Sequence, residues 1–348
     1  MTKKEYLEAL SLALQHTDDA ARDELLNDFE EHFTIGKANG RTDDDIMASL
    51  GPIDELVAAL DLPLKKTTIP VHTELSAKTF SDVQTIEVDS LHAEVRVIAS
   101  SDSLTHVAFK SDGKLVDKLA YSTEVTQRGQ TLSIKVEPIK RFFIARASQL
   151  TIEVAVAASV KDLRLESASG EFHLNDLTLD KVIAKSASGD VHAHHVNVNR
   201  FEGTTASGDL HFTGGRGELS LSTASGDVYG EGYEASDVTV RSASGDVTYK
   251  GRCVRLSINT ASGDGNLELL GAQEVTIHTV SGDFDLDVDR ADEGLRATLK
   301  SVSGDLVVHS PEGTYEADRH SDVITLKQEA IRINLKSVSG DFKIRQHA

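Results

Sequence analysis

The chain has 348 residues, with 36 Lys and Arg against 56 Asp and Glu, a formal net charge of −20. That balance excludes nucleic acid or an anionic lipid surface as a main partner, because phosphate-rich surfaces are held by clustered positive charge. Cys253 is the single cysteine, which excludes an intrachain disulfide and a cysteine metal cluster, and 5% aromatics with no Trp point to thin layers of aliphatic side chains.

The first 62 residues hold 5 Lys/Arg and 15 Asp/Glu, a net −10. The opening Met1-Thr-Lys-Lys-Glu-Tyr-Leu7 is amphipathic and lacks the apolar core of a signal peptide, and no stretch reaches transmembrane length. The expectation is a cytoplasmic protein without membrane insertion, with cell-surface association by non-classical export as the alternative. Tyr6, Leu7, Leu10 and Leu14 fall at helical spacing. Thr17 before Asp18 and Asp19 reads as an N-cap, and the helix it opens carries Leu25, Leu26, Phe29 and Phe33 to an end near Gly36–Gly40. Thr42 before Asp43, Asp44 and Asp45 repeats the start signal; Ile46, Met47 and Leu50 face inward and Gly51 stops the helix. Pro52 suits the first position of a fourth short helix with Ile53, Leu56, Val57 and Leu60. His32, between acidic neighbours on a charged helix face, is expected to be solvated rather than a ligand. The spacing predicts an acidic three- to four-helix domain over residues 1–62.

Glu5-Tyr-Leu-Glu-Ala-Leu10, Asp28-Phe-Glu-Glu-His-Phe33 and Leu50-Gly-Pro52 after Ile46-Met-Ala-Ser resemble the HAAS-type helical signalling domain of bacterial proteins. In one departure from that pattern, Gly51 and Pro52 are adjacent where the family has an intervening residue. The resemblance implies a protein partner reached through this module.

Pro63-Leu-Lys-Lys-Thr-Thr-Ile-Pro70 reads as a linker within residues 63–82. From Val83 the apolar period becomes two, at Ile86 and Val88, Val95 and Val97, Val107 and Phe109, with further strands at Leu132–Val136 and Leu150–Val154. Leu91-His-Ala-Glu-Val95 stands as a degenerate first corner. Lys140-Arg-Phe-Phe-Ile-Ala-Arg146 reads as an insertion covering an open end, or else as a binding loop.

From about residue 161 one phrase, Ser-Ala-Ser-Gly-Asp or a close relative, recurs with its glycine at Gly170, Gly189, Gly208, Gly226, Gly245, Gly263, Gly282, Gly304 and Gly340. The intervals are 19, 19, 18, 19, 18, 19, 22 and 36 residues, the last holding a worn copy at His320-Ser321-Asp322-Val323. A fixed period of this size marks a repeat architecture. Two positions after the glycine stand Phe172, Val191, Leu210, Val228, Val247, Phe284, Leu306 and Phe342, and five before it Leu165, Ala184, Leu221, Val240, Ile258, Ile277, Leu299 and Leu335, with Gly265 and Gly203 the exceptions. No second turn signal recurs per period, as an antiparallel meander would need. The expected fold is therefore mainly β: a right-handed parallel β-solenoid of about 19-residue coils over residues 83–348, preceded by the helical domain.

Three columns bear polar groups. The Ser/Thr column three before the glycine (Ser167, Ser186, Thr205, Thr223, Ser242, Thr260, Thr279, Ser301, Ser337) has no His or Lys at fixed spacing, so stacked hydroxyls bonding from coil to coil are expected, not nucleophiles. The acidic column (Glu171, Asp190, Asp209, Asp227, Asp246, Asp264, Asp283, Asp305, Asp341) is expected to accept amides within its own turn, a row of Ca²⁺ ions being the alternative. His173, His192 and His211, with His194 nearby, point outward and are the metal-ligand candidates beside the reading of a solvated polar face.

Ser186-Ala-Ser-Gly-Asp-Val191 and its copies resemble a bacterial family of adhesin-like proteins built of β-strand repeats, which implies a solenoid without catalysis. The pairing with the helical module is similar to that of Gram-positive envelope-stress proteins of the LiaX kind. The expected function is a non-enzymatic sensor, scaffold or interaction protein without a cofactor; the alternatives are a surface adhesin or carbohydrate-binding module, and a metal-binding solenoid. A lyase or hydrolase needs converging carboxylates in a cleft, which a uniform ladder does not supply. The last coil, ending Phe342-Lys-Ile-Arg345, is expected to leave an edge strand for end-to-end self-association.

Overall fold

The computed structural model describes residues 3–14, 19–51, 53, 56, 77–110, 121–138, 150–289, 294–317, 322–327 and 331–347. The Thr17 cap, Pro52, Val57, Leu60, the Pro63–Pro70 linker, the Lys140–Arg146 segment, His320 and Ser321 lie outside the described residues.

Three helices, α1 (Lys3–Ala13), α2 (Asp19–Ala38) and α3 (Asp43–Leu50), share a core of Tyr6, Leu10, Leu25, Phe29, Phe33, Ile46 and Leu50. The ring of Tyr6 meets Phe33 edge-on at 6.0 Å. The Thr42 signal is a capping box: Thr42 Oγ1 accepts from the Asp45 amide at 3.2 Å and the Asp45 carboxylate accepts from the Thr42 amide at 3.2 Å. Gly51, at φ 78°, ends α3 in the left-handed region. His32 is not fully solvated as its charged neighbours suggest. It is half-buried with Nε2 enclosed and unbonded, and burial, then the Arg41 charge, hold its pKa below the ordinary histidine value.

Beyond the helices two parallel ladders face each other across one continuous apolar core, as the repeat period predicts. One holds the strands that precede each corner, Asp162–Ser167 and Thr178–Ser186 among them; the other holds the strands that follow it, such as Phe172–Asn175. In the central coils the run between corners is not an irregular return loop. Val191–Thr204, Leu210–Ser222, Val228–Arg241 and Val247–Asn259 are continuous bent strands, paired in register along most of their length. The bend lies near His195, Gly214 and Gly232, all with φ between 52° and 65°.

The order of coils in space departs from their order in the chain at both ends. Strands Glu274–His278 and Phe284–Val288 pair with Ile331–Lys336 and Phe342–Gln346, which in turn pair with Leu295–Lys300 and Leu306–Ser310. The corner of Gly340 therefore sits between those of Gly282 and Gly304. The expected edge at Phe342–Arg345 is corrected by this: that strand is hydrogen-bonded on both sides and offers no open edge for self-association. The outermost coil is closed by two antiparallel strands, Gly313–Ala317 against Leu306–Ser310 and Asp322–Leu326 against Leu295–Lys300. Asp322-Val323 thus belongs to a capping strand and not to a worn corner.

The opposite end mirrors this. Thr85–Ser90 and Glu94–Ala99 form the second coil in space, since Thr131–Pro138 and Thr151–Val156 stack outside them. Tyr121–Arg128 and Thr105–Lys110 cover that outer coil in antiparallel pairing. Antiparallel caps consume the ladder donors and acceptors that a solenoid end would expose.

Candidate functional site: the ladders of the corner face

The corner glycines stack backbone on backbone. A Cβ placed on Gly245 would lie 1.8 Å from the carbonyl oxygen of Gly226, and one on Gly189 would lie 2.0 Å from that of Gly170. None of the nine has φ in the left-handed region, so close approach, not conformational freedom, is what requires glycine. In the degenerate corner Ala93 takes the glycine's place, and its amide donates to Ser90 Oγ at 2.9 Å.

The Ser/Thr and Asp columns exchange the roles expected of them. Each hydroxyl accepts from the glycine amide of its own turn: Gly170 to Ser167 at 2.8 Å, Gly226 to Thr223 at 2.9 Å and Gly340 to Ser337 at 2.6 Å. From Asp190 to Asp341 in spatial order each Asp accepts through Oδ1 from the Asp amide of the next coil: Asp209 to Asp190, Asp227 to Asp209, Asp246 to Asp227 and Asp264 to Asp246, all at 2.8 Å. Asp283, Asp341 and Asp305 continue this in spatial order at 2.8–2.9 Å. The difference has a geometric cause. Three residues back, a hydroxyl reaches the glycine amide of its own corner (Ser167 also donates to the next coil, to the Leu91 carbonyl at 3.4 Å), while the carboxylate lies along the stacking axis, where the next amide points at it. The bond to a backbone dipole offsets part of the repulsion between stacked carboxylates.

Thr223→Val leaves the Gly226 amide without its acceptor at a site where Thr223 is 6% exposed. The expected cost is about 1–3 kcal/mol, with Thr223→Ser close to wild type; thermal melts of the two variants check this.

The outward column beside the acids holds three stacked imidazoles. His192 lies 4.9 Å from both His173 and His211, with ring planes 7° and 12° apart, and Tyr229 ends the stack, tilted 46° with its ring 6.1 Å from His211. His173 Nε2 is 3.3 Å from both Glu94 and Glu171. The rings face one another and do not converge their nitrogens on a point. Zn²⁺ holds imidazole nitrogens at about 2.0–2.1 Å, which needs ligand atoms roughly 3.3 Å apart. His194 lies apart from the stack, with its ring centroid 3.9 Å from His195, and these two histidines meet Asp176 with one ligand atom each within 4.8 Å. Asp176 and His195 are absent from the candidates that spacing suggests. The signal available was a column six residues after the corner that reads Asp176, His195, Gly214, Gly232.

Burial, then the charges of His173 and His211, hold the His192 pKa below the ordinary histidine value, against weaker opposing pulls from Asp190 and Glu171. Its unfolded form therefore takes up a proton first as pH falls through about 6.5, so stability drops from there down to the folded pKa. His192→Gln should flatten the fall in thermal midpoint between pH 7.5 and 5.5; an unchanged pH slope would contradict this.

On the same face, towards the far end, an open groove of about 740 Å³ is bounded by Asp246, Asp264, Asp283, Asp341 and Asp305. Gly265, Phe284 and Lys343 also line it. A Cβ on Gly265 would lie 2.0 Å from the Phe284 ring, which accounts for the glycine that breaks the apolar column.

Residues 83–345 match the family model described as Toastrack DUF4097. The chain belongs to the Toastrack DUF4097 family. Residues 5–59 match a second model, HAAS. Three solved structures are similar to the chain at low identity. A candidate lipid-binding protein from Parabacteroides distasonis ATCC 8503 is 17% identical, with a TM-score of 0.45 over 78% of this chain and 96% of that one. A candidate adhesin from the same organism is 11% identical, with 0.49 over the same shares. A candidate adhesin from Bacteroides fragilis NCTC 9343 is 12% identical, with 0.42 over 80% and 99%. No curated protein matches the chain. Among the described residues no helix is long and apolar enough to cross a membrane. In this Toastrack chain the motif residues build corners, and the described groups facing outward include the histidine stack, the acidic groove and the Asp176 cluster.

Proposed function

We propose that this Toastrack protein is a non-enzymatic interaction module that couples a signalling partner, bound by the HAAS-type helices, to a cationic partner or ligand bound on the corner face. The observation that carries this reading is the groove of five stacked aspartates; the Oδ1 atoms of Asp246, Asp264, Asp283 and Asp341 are engaged in the ladder while all five carboxylates line an open surface. Its charge suits Lys- or Arg-rich chemistry. A uniform row of carboxylates, all but the last committed to a neighbouring amide, gives no pair set apart as acid and base, in keeping with a binding role. The presence of a HAAS match and a solenoid on one chain supports a role in cell-envelope stress signalling.

The test is affinity capture with the full chain at low and high salt, beside the double variant Asp283→Asn, Asp341→Asn. Asparagine keeps the Oδ1 acceptor and removes the charge, so the ladder persists. A partner lost at high salt and lost in the variant supports the reading; a partner retained by both removes the groove from it. Fractionation of the cells complements this. The signalling role expects the cytosolic fraction, and recovery at the cell surface would favour an adhesin or carbohydrate-binding module instead.

A further inference from the structure

We propose that Asp176, His194 and His195 form a binding site for a borderline divalent transition-metal ion of the Zn²⁺ class. Consecutive residues of an extended strand point to opposite faces. His194 and His195 do not, because His195 has φ 52°, and the break in alternation brings the two ring centroids to 3.9 Å. Asp176, one coil away, has φ 53° and sets Oδ1 3.2 Å from His195 Nδ1, close to the separation of two ligands on one tetrahedral ion. One ligand atom from each of the three residues lies within 4.8 Å of the others, and all three side chains are exposed. Rotation of the exposed His194 ring closes the remaining distance and leaves a coordination position for water or a partner's ligand.

Two neighbours indicate a built site rather than chance proximity. The next coils meet the same left-handed bend with Gly214 at φ 63° and Gly232 at φ 65°, the residue that adopts it without strain. Asp176 and His195 hold donor side chains at the bend where the next two coils take glycine, and backbone strain of this kind collects at functional positions. Gly214 also clears the space for the His195 ring: a Cβ there would lie 2.4 Å from His195 Cδ2. The two-nitrogen, one-oxygen donor set suits Zn²⁺, Co²⁺, Ni²⁺ or Cu²⁺, whereas Ca²⁺ and Mg²⁺ favour all-oxygen sites. Since Asp176 follows the Gly170 corner and both histidines follow the Gly189 corner, the ion would pin two coils together at their bend.

The test uses the full chain, Zn²⁺ calorimetry and Co²⁺ absorbance. Wild type is expected to take one Zn²⁺ with a rise in thermal midpoint, and to give a Co²⁺ d–d band that Zn²⁺ displaces. His195→Gly copies the next coil's own solution, so its metal-free midpoint should equal or exceed that of wild type. Its Zn²⁺ affinity should fall at least by the ~10–100-fold that loss of even an outer-shell partner costs, and the Zn²⁺-induced rise should vanish. His192→Gln, in the imidazole stack, should bind as wild type does. Absence of stoichiometric binding by wild type, undiminished binding by His195→Gly, or loss in His192→Gln with retention in His195→Gly would each overturn the assignment.

Discussion

Gly245→Ala is expected to destabilise the solenoid by about 3 kcal/mol, at the upper end for overpacking a well-fitted interior. The added methyl would sit 1.8 Å from the Gly226 carbonyl oxygen, and that atom belongs to a corner held on both sides by inter-coil hydrogen bonds, Asp227 to Asp209 and Asp246 to Asp227. No rotamer change relieves the contact. The coils must part locally, and the amide-to-carboxylate bond from Asp246 to Asp227, which spans that gap, stretches with them. A drop in thermal midpoint on the order of 5–10 °C follows for a domain of this size. Gly40→Ala is the contrast: φ is 79° but no atom lies within 4 Å of the new methyl, so only left-handed strain of about 1–2 kcal/mol is expected. A Gly245→Ala midpoint equal to that of wild type would refute the stacking account.

Phe212→Ala should cost about 3–5 kcal/mol, the range for deleting a buried aromatic ring. Phe212 is fully buried and meets Phe201 at 4.8 Å and Tyr233 at 6.0 Å, both edge-to-face. Its neighbours in register are Ala193 and Gly230, so along the stack there is little side-chain volume to move into the cavity. Phe212→Leu keeps most of the volume and should lose less than about 1.5 kcal/mol. Urea midpoints of the pair decide the matter: equal losses would mean that the volume leucine restores contributes nothing and that the ring contacts carry the whole effect.

The solenoid was legible because the spacing of Gly170 through Gly340 reports a geometric requirement that every coil meets in the same way. The buried columns were legible for the same reason. Their exceptions were not, since Gly265 makes sense only beside the Phe284 ring one coil on. The direction of the ladder bonds was also hidden. Ser and Asp both cap turns, and only the stacking axis decides that the hydroxyl bonds within its corner and the carboxylate across corners. Coil order escaped entirely, because the corners of Gly304 and Gly340 read alike and no local rule says which docks first. The Asp176 cluster was obscured by the period-two pattern itself, which assigns His194 and His195 to opposite faces.

The corner of Gly340, seated between those of Gly282 and Gly304, constrains assembly during synthesis. Coils as far as Gly282 can add one at a time behind the emerging chain, each resting on a completed floor. The Gly304 coil has no floor when it emerges. Its seat is made by residues 331–346, which arrive later, so the final two coils and their antiparallel cap must close in one concerted step. The terminal strand acts as a keystone: until it is driven home, the far end of the rod stays open, and once it is home the rod cannot unzip from that end one coil at a time.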